Sequence, residues 1–138
     1  MDQIVVLIVE DDPMIAFDVR ETLIEAGYLV CGIAESEDEA LDLAQRHQPA
    51  LAVVDVSLSP GDGRIVAREL CRDSRIGVLF ATALCHEISD LTQTGAIGCL
   101  PKPFDPRDVP RALRAVSAIM DGHQPGKLPD HMISLRAA

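Results

Sequence analysis

Apolar runs alternate with helical patterns along this chain, and that alternation limits the folds it can adopt. The first run, residues 4–9, contains no polar side chain and is rich in β-branched residues, which is typical of a strand covered on both faces. Four further runs are predicted to be strands, at residues 29–34, 51–54, 78–81 and 98–100. Strands that alternate with helices predict an α/β protein with a doubly wound parallel sheet and helices on both faces.

The helical patterns have recognisable first and last residues. Pro13 suits the first turn of a helix that Gly27 ends, and Ser36-Glu37-Asp38-Glu39 is typical of a capping box. Asp105-Pro106 predicts the N-cap and first residue of the last helix. The remaining two helices are predicted around Leu70 and, with a weaker apolar pattern, at residues 87–94, which makes five helices in all.

The length favours one domain. With 138 residues, 48 % of them hydrophobic, the chain can bury a proper core. We predict that this domain spans residues 1–120. Residues 121–138 contain glycines and prolines with few large apolar side chains, so they predict a flexible tail, too short to hold a further functional domain.

The charge balance excludes several kinds of partner. Twelve basic residues stand against 22 acidic ones, for a net charge of −10, which disfavours binding to nucleic acid or to an anionic membrane. No apolar run approaches the roughly 18 residues of a membrane span, and Met1-Asp2 leads directly into the first strand without a signal region. The sequence therefore predicts a cytoplasmic protein whose partners are other proteins or a divalent cation.

The cysteines and histidines show no spacing typical of a metal site. The favoured interpretation is that all four cysteines are buried reduced thiols, with a disulfide or a zinc site as the alternative: Cys31, Cys71, Cys85 and Cys99. The four histidines are predicted to lie on the surface: His47, His86, His123 and His131.

Polar side chains follow the predicted strands at the points where the strands end. Residues 10–12 (Glu-Asp-Asp) follow the first strand, Asp55 the third, Thr82 the fourth and Lys102 the fifth. Each alone has a structural explanation, such as a helix cap, a turn or a solvated loop lysine. Together they are expected to meet, because the carboxyl ends of parallel strands lie at one edge of the sheet.

This set of residue types suits phosphoryl chemistry with a metal. Neighbouring carboxylates repel one another unless a cation lies among them, and Mg²⁺ accepts one or two carboxylates together with waters and phosphate oxygens. With charge offset in this way, Asp55 could attack phosphorus and form an acyl phosphate. Lys102 would add a second positive charge, and Thr82 a hydroxyl group.

The same residues carry a family resemblance. Four motifs, in order along residues 3–120, resemble the receiver domain of bacterial two-component response regulators: Val9-Glu10-Asp11-Asp12, Val53-Val54-Asp55, Phe80-Ala81-Thr82-Ala83 and Pro101-Lys102-Pro103-Phe104. The resemblance implies a flavodoxin-like fold with five parallel strands in the order 2-1-3-4-5 and five helices.

The resemblance also implies the metal ligands. Asp55 matches the phosphoacceptor, Asp11 the direct Mg²⁺ ligand, and Glu10 the acid that holds the ion through water. The backbone carbonyl of Ser57 would complete the protein's share of the coordination, and Mn²⁺ is a possible substitute ion.

Two further positions match residues that respond to the phosphoryl group. Thr82 matches the hydroxyl that bonds a phosphoryl oxygen, and Lys102 the lysine that pairs with it. The Lys102–Pro103 bond is expected to be cis.

The function that follows is that of a stand-alone response regulator. A histidine kinase or histidine phosphotransfer protein would donate the phosphoryl group, and the regulator would signal by binding a downstream protein or pass the group onward. It is not expected to be an enzyme, beyond catalysing its own phosphorylation and dephosphorylation. The alternatives are a degenerate receiver that binds proteins without phosphorylation and a metal-dependent phosphohydrolase, which would need two spaced aspartates after the first strand.

The chain departs from the family pattern at two places. Cys99 lies three residues before Lys102, where most receivers carry a tyrosine or phenylalanine whose rotation reports phosphorylation. Without that ring, the signal is expected to spread through Thr82 into residues 83–94. The loop after Asp55 also differs, because Pro60 lies one place later than is usual.

Overall fold

A six-stranded sheet forms the centre of the molecule. The structure is a computed structural model that describes residues 3–136, except for the side chains of residues 73, 74 and 88. Its strands are β1 (Val5–Val9), β2 (Leu29–Ala34), β3 (Leu51–Val54), β4 (Gly77–Thr82), β5 (Gly98–Pro101) and β6 (Ile133–Ser134). Five helices separate them: α1 (Pro13–Glu25), α2 (Glu37–His47), α3 (Gly63–Ser74), α4 (Ile88–Thr92) and α5 (Asp108–Met120).

The strand order is β2-β1-β3-β4-β5-β6. The first five strands are parallel, in the predicted order, so the flavodoxin-like topology is confirmed. The sixth strand is a correction to the five-stranded prediction: it pairs antiparallel with β5 through Cys99 and Ile133.

Alternate residues of the strands enter two separate cores. Val6 and Ile8 of β1 lie in one buried cluster with residues of α1 and α5, while Leu7 and Val9 lie in the other, with residues of α2 and α3. Side chains of a strand alternate between faces, so a fully apolar run is what a sheet covered on both sides requires. The carboxyl edge of the sheet is left for polar residues.

Side chains cap the first two predicted helices. Asp12 accepts hydrogen bonds from the backbone N–H groups of Met14 (3.0 Å) and Ile15 (3.3 Å) at the start of α1. Ser36 caps α2 by accepting from the Glu39 N–H at 3.2 Å. Both helices therefore begin where the sequence predicts.

The predicted start of the last helix is wrong. The Asp105 carboxylate accepts from the backbone N–H of Arg107 at 2.9 Å and pairs with its guanidinium at 2.7 Å, so it is used within a turn. The Asp108 N–H bonds the Asp105 carbonyl at 2.8 Å, and α5 begins only at Asp108. A local Asx turn competes with the helix at this point.

Residues after α5 are more closely packed than a flexible tail would be. Met132 and Leu135 are buried on either side of β6, and the Leu135 N–H donates to the carbonyl of Ile97 at 2.8 Å. Gly98 in β5 makes room for this strand, since a Cβ there would lie 2.6 Å from Met132 Cε. The final two residues of the predicted tail, 137 and 138, lie outside the described residues.

The prediction of four reduced thiols is also wrong. Cys85 and Cys99 form a disulfide, whereas Cys31 and Cys71 are free. The two bonded residues are 14 positions apart in the sequence and come together only because β4 and β5 are neighbours in the sheet. The four histidines are exposed, as predicted: His47, His86, His123 and His131.

Among residues 3–136, no helix has the length and apolar character needed to cross a bilayer.

Candidate functional site

Three carboxylates converge where β1 and β3 end. Glu10 and Asp11 follow β1, and Asp55 follows β3, its neighbour in the sheet. One carboxylate oxygen from each residue lies within 4.8 Å of the other two. Parallel pairing of Val9 with Val54 thus brings together acids that are far apart in sequence. Asp12 is not part of this cluster, because it caps α1.

Lys102 lies between two of these acids. Its Nζ is 2.8 Å from Glu10 Oε1 and 2.8 Å from Asp55 Oδ2. The backbone N–H of Lys102 donates to the carbonyl of Thr82 at 2.9 Å, which ties the start of this loop to the end of β4. The following peptide bond to Pro103 is cis, as predicted.

Burial makes the charges at this site strongly interdependent. Glu10 is 5 % exposed and Asp55 6 % exposed. Burial raises the pKa of Glu10, even though the hydrogen bond from Lys102 opposes that change. Burial also disfavours the Lys102 ammonium, but its hydrogen bonds to Asp55 and Glu10 outweigh that effect, so the pKa of Lys102 lies above its usual value.

The remaining carboxylate oxygens have different surroundings. Glu10 Oε2 accepts from the backbone N–H of Asp12 at 3.0 Å, and Asp55 Oδ1 accepts from that of Ser57 at 3.2 Å. Within the described part of the chain, the Asp11 carboxylate has no hydrogen-bond donor, and it is only partly buried. Asp11 is therefore the acid most available to an added cation.

The donor set fits a hard divalent cation. Three carboxylates face one ammonium, so the cluster keeps an excess of negative charge that a cation would offset. Oxygen ligands from one or two acids, completed by waters, match the coordination that Mg²⁺ prefers. The direct role of Asp11, the water-mediated role of Glu10 and the role of the Ser57 carbonyl remain predictions.

Thr82, the last residue of β4, is almost fully buried at 1 % exposure. Its Oγ1 accepts from the backbone N–H of Leu84 at 3.3 Å, which folds the following loop back over the strand end. The hydroxyl thus occupies the same edge as Asp55 and couples directly to the loop that leads into α4.

Comparison with known proteins identifies the family that shares this arrangement. A family model described as "Response regulator receiver domain" matches residues 6–114. This chain belongs to that family. The chain is therefore a receiver domain of the response-regulator type.

Two curated relatives of this receiver domain differ in how much of their own length the match covers. "Transcriptional regulatory protein PdtaR" of Mycobacterium tuberculosis is 37 % identical over 81 % of this chain and 56 % of its own length. The chain thus spans about half of that relative. "Protein CcdB" of Bacillus subtilis is 31 % identical over 86 % of this chain and 98 % of its own length.

Solved structures show the same fold. The chemotaxis response regulator CheY4 of Vibrio cholerae superposes with a TM-score of 0.76 at 28 % identity, over 83 % of this chain and 99 % of its own. A response regulator from Chloroflexus aurantiacus gives the same TM-score at 27 % identity, over 83 % of this chain and 98 % of its own.

Gly63 and Glu37, neither of which was predicted as a site residue, shape the loop after Asp55. A Cβ on Gly63 would lie 1.9 Å from the Asp55 carbonyl oxygen, so only glycine permits this close approach of α3 to the acceptor. The Glu37 carboxylate accepts from the Asp62 N–H at 2.8 Å and holds the loop from the side of α2. The Gly-Asp-Gly segment was the available signal for Gly63, whereas no local pattern marks Glu37.

Gly63→Ala is expected to lower the free energy of unfolding by about 3 kcal/mol, because its methyl group would overlap backbone atoms that cannot move independently. Urea denaturation measures this change. Gly122→Ala is the matched control, because Gly122 has a positive φ of 79° but nothing within 4 Å of an added Cβ. Its cost should be only the backbone strain of about 1 kcal/mol. Equal losses in the two variants would show that space at Gly63 is not limiting.

An ion-pair network connects the same loop to α4. Arg64, at the start of α3, pairs with Asp62 at 2.8 Å and also reaches Glu87 at 3.6 Å and Asp90 at 3.4 Å. The Arg64 hydrogen bond lowers the pKa of Asp62. These groups are partly exposed, so their contribution to stability is small, but they link the acceptor loop to the helix beyond Thr82.

Proposed function

We propose that Asp55 accepts a phosphoryl group from a phosphohistidine and that the receiver signals through the resulting acyl phosphate. The observation that carries this proposal is the position of Lys102, whose ammonium bonds both Asp55 and Glu10 at 2.8 Å inside a three-carboxylate cluster. A structural ion pair would need one acid, and three acids with one lysine leave room for a cation and an anion.

The chain's own residues would divide the chemistry as follows. A carboxylate oxygen of Asp55 attacks phosphorus while the P–N bond to the donor imidazole breaks and its electron pair returns to that nitrogen. Lys102 transfers its contact from the carboxylate to the phosphoryl oxygens, and Thr82 supplies a hydroxyl hydrogen bond. Asp11, Glu10, Asp55 and the Ser57 carbonyl would hold Mg²⁺, which when bound offsets phosphoryl charge.

The implied partners are proteins. The donor would be a histidine kinase or a histidine phosphotransfer protein, and the output would be binding to a downstream protein or onward transfer of the group. The net charge of −10 argues against direct contact with nucleic acid. We place the protein in the cytoplasm. It would catalyse only its own phosphorylation and dephosphorylation.

Removal of the metal tests the site as a whole. With a small phosphoramidate or acyl phosphate donor and Mg²⁺, intact-protein mass spectrometry should show a single phosphorylated species. Excess EDTA should slow its formation about 100-fold, because a metal contributes several kcal/mol of charge stabilisation. Mn²⁺ should restore the rate.

Two outcomes would contradict the proposal. Phosphorylation unaffected by EDTA would exclude a metal-assisted site. No phosphorylation with any donor, together with normal partner binding, would favour a degenerate receiver that binds proteins regardless of phosphorylation.

A further inference from the structure

The segment that contains α4 is covalently tied at both of its ends. The disulfide joins Cys85, in the loop after β4, to Cys99 in β5. The two residues are 14 positions apart, so the bond closes a ring of chain that contains the whole of α4. This is the segment through which the signal from Thr82 is expected to spread.

Both half-cystines stand close to residues of the phosphoryl site. Cys85 follows Thr82 by three residues, and Cys99 precedes Lys102 by three. Cys85 Sγ lies 3.7 Å from the Thr82 carbonyl oxygen, which also accepts the Lys102 N–H at 2.9 Å. A disulfide sulfur has no proton to donate, whereas a thiol can donate weakly. Reduction therefore changes the polar contacts of the Thr82 carbonyl oxygen, which also accepts the hydrogen bond from the Lys102 N–H.

The tied helix is weakly held by its own interactions. It contains five residues, and its N-cap residue Glu87 makes no side-chain capping bond. A helix of this length has little intrinsic stability, so packing must hold it. Leu91 is buried in the same cluster as Cys85 and Cys99, which places the disulfide directly in the packing beneath α4. Segments of this kind open at low free-energy cost.

The fold does not depend on this bond as a small secreted domain would. Two buried clusters already cover both faces of the sheet, and two other cysteines, Cys31 and Cys71, are left free. Where thiols are kept reduced, disulfides are typically transient and serve catalysis or redox sensing. A single bond around the output helix fits such a role better than that of a structural staple.

We propose that the Cys85–Cys99 disulfide is a reversible thiol–disulfide site for dithiol reductants, and that its reduction releases the α4 segment to respond to phosphorylation of Asp55. The second half of this inference rests on the proposed phosphorylation of Asp55; the first half rests only on the proposed location in the cytoplasm. In the oxidised state the bond restrains residues 85–99, and the response at α4 is small. In the reduced state the same segment can shift with Thr82.

The reaction balances as a thiol–disulfide exchange. A reductant thiolate attacks Cys85 Sγ, the bond to Cys99 Sγ breaks, and the electron pair leaves on Cys99, which takes up a proton. The second thiolate of the reductant then attacks the reductant sulfur that is bonded to Cys85 Sγ. This step forms the reductant's disulfide and releases Cys85 as a thiolate, which takes up a proton. Two electrons and two protons pass to the protein, and the reverse reaction with an oxidised dithiol restores the bond.

Local opening gives the reductant its access. Cys85 is 3 % exposed and Cys99 0 %, but the loop residues Ala83 and His86 beside Cys85 are exposed. Attack is therefore directed to Cys85, with Cys99 as the leaving group. Burial raises the pKa of Cys71 to about 11 and also raises that of Cys31, so neither free thiol is a good internal nucleophile.

The first experiment measures the bond itself in the full chain. The folded protein is equilibrated with reduced and oxidised dithiothreitol at several ratios and quenched in acid. It is then unfolded and alkylated, and mass spectrometry gives the number of alkylated cysteines. We expect two alkylated cysteines at the oxidising end and four at the reducing end, with this one transition reversible in the native state. Four free thiols at every ratio, or a bond that opens only when the protein unfolds, would overturn the proposal.

The second experiment measures the release of α4. Hydrogen exchange at residues 83–98 is compared in oxidised and reduced wild-type protein, with and without beryllofluoride as a phosphoryl mimic. We expect beryllofluoride to change exchange rates there about tenfold more in the reduced protein, which is a modest coupling for a conformational change. Equal responses in both redox states would show that the bond does not restrain the output segment.

Two controls separate this inference from the proposed function. The double variant Cys31→Ser/Cys71→Ser keeps the disulfide and should retain the full redox effect, whereas Cys85→Ala should behave as the reduced protein in any buffer. Phosphorylation of Asp55 is measured in parallel in both redox states. If Asp55 is phosphorylated in neither redox state, the proposed function is overturned. If it is phosphorylated equally in both and hydrogen exchange at residues 83–98 does not depend on redox state, only the proposed restraint of α4 by the disulfide is overturned.

Discussion

Asp55→Asn should reduce phosphorylation of the receiver to background with any donor. The substitution keeps the shape of the side chain but replaces the nucleophilic oxygen pair with an amide, which cannot form an acyl phosphate under these conditions. Lys102 donates to Oδ2 of the buried Asp55 at 2.8 Å, and the Ser57 N–H donates to Oδ1 at 3.2 Å. The single amide oxygen of asparagine can keep the shorter bond from Lys102, and the loss of the longer one should not unfold the protein. The loss should therefore be chemical, with the fold intact by circular dichroism. Transfer of labelled phosphate from a panel of histidine kinases measures the effect.

Asp12→Asn is the matched control for that variant. Asp12 lies two residues from Glu10 in the sequence, but it caps α1, a role that asparagine fills equally well. Its phosphorylation should match that of the wild type. Label that survives in Asp55→Asn, or that is lost in Asp12→Asn as well, would place the acceptor elsewhere in the acidic cluster.

The five parallel strands were predictable because a sheet covered by helices on both faces requires apolar residues at successive strand positions. A short, β-branched apolar run such as 4–9 is typical of a strand covered on both sides, and alternation with helices then restricts the topology. The antiparallel β6 has no such pattern. It depends on the open edge of β5 and on the space beside Gly98, neither of which is visible from residues 121–138 alone.

The site shows the same division between ordered motifs and tertiary contacts. The meeting of Glu10, Asp11, Asp55 and Lys102 follows from their positions after strands, since parallel strands end at one edge. That Lys102 bonds Glu10 as well as Asp55 depends on side-chain geometry that spacing does not determine.

Pairings between distant segments were beyond sequence reasoning. Cys85 and Cys99 each lie in an apolar context that is equally suited to a free thiol, and only the neighbouring positions of β4 and β5 bring them together. The predicted first residue of α5 was wrong for a local reason. The Asp105 carboxylate bonds the nearby Arg107 and does not cap the N-terminus of the helix.

Lys102→Ala should both destabilise the metal-free receiver and abolish its response to phosphorylation. Removing the ammonium leaves the buried carboxylates of Glu10 and Asp55 without their common cation, which should lower the free energy of unfolding by about 2–4 kcal/mol. Mg²⁺ should restore much of this loss, since binding at 100 times the dissociation constant adds about 2.7 kcal/mol. The rescue should exceed the effect of Mg²⁺ on the wild type, where Lys102 already offsets the same charges.

The response is the more decisive half of the Lys102 prediction. In the wild type the ammonium can leave Glu10 and Asp55 for the phosphoryl group, and its backbone N–H links that movement to the Thr82 carbonyl and so to the loop of Cys85. With both proteins reduced, Lys102→Ala should bind Mg²⁺ and beryllofluoride yet leave hydrogen exchange at residues 83–98 unchanged. Lys127→Ala, at an exposed lysine after α5, should alter neither stability nor response. A normal response in Lys102→Ala would mean that Thr82 alone conveys the new charge, with Lys102 serving only to balance the acids at rest.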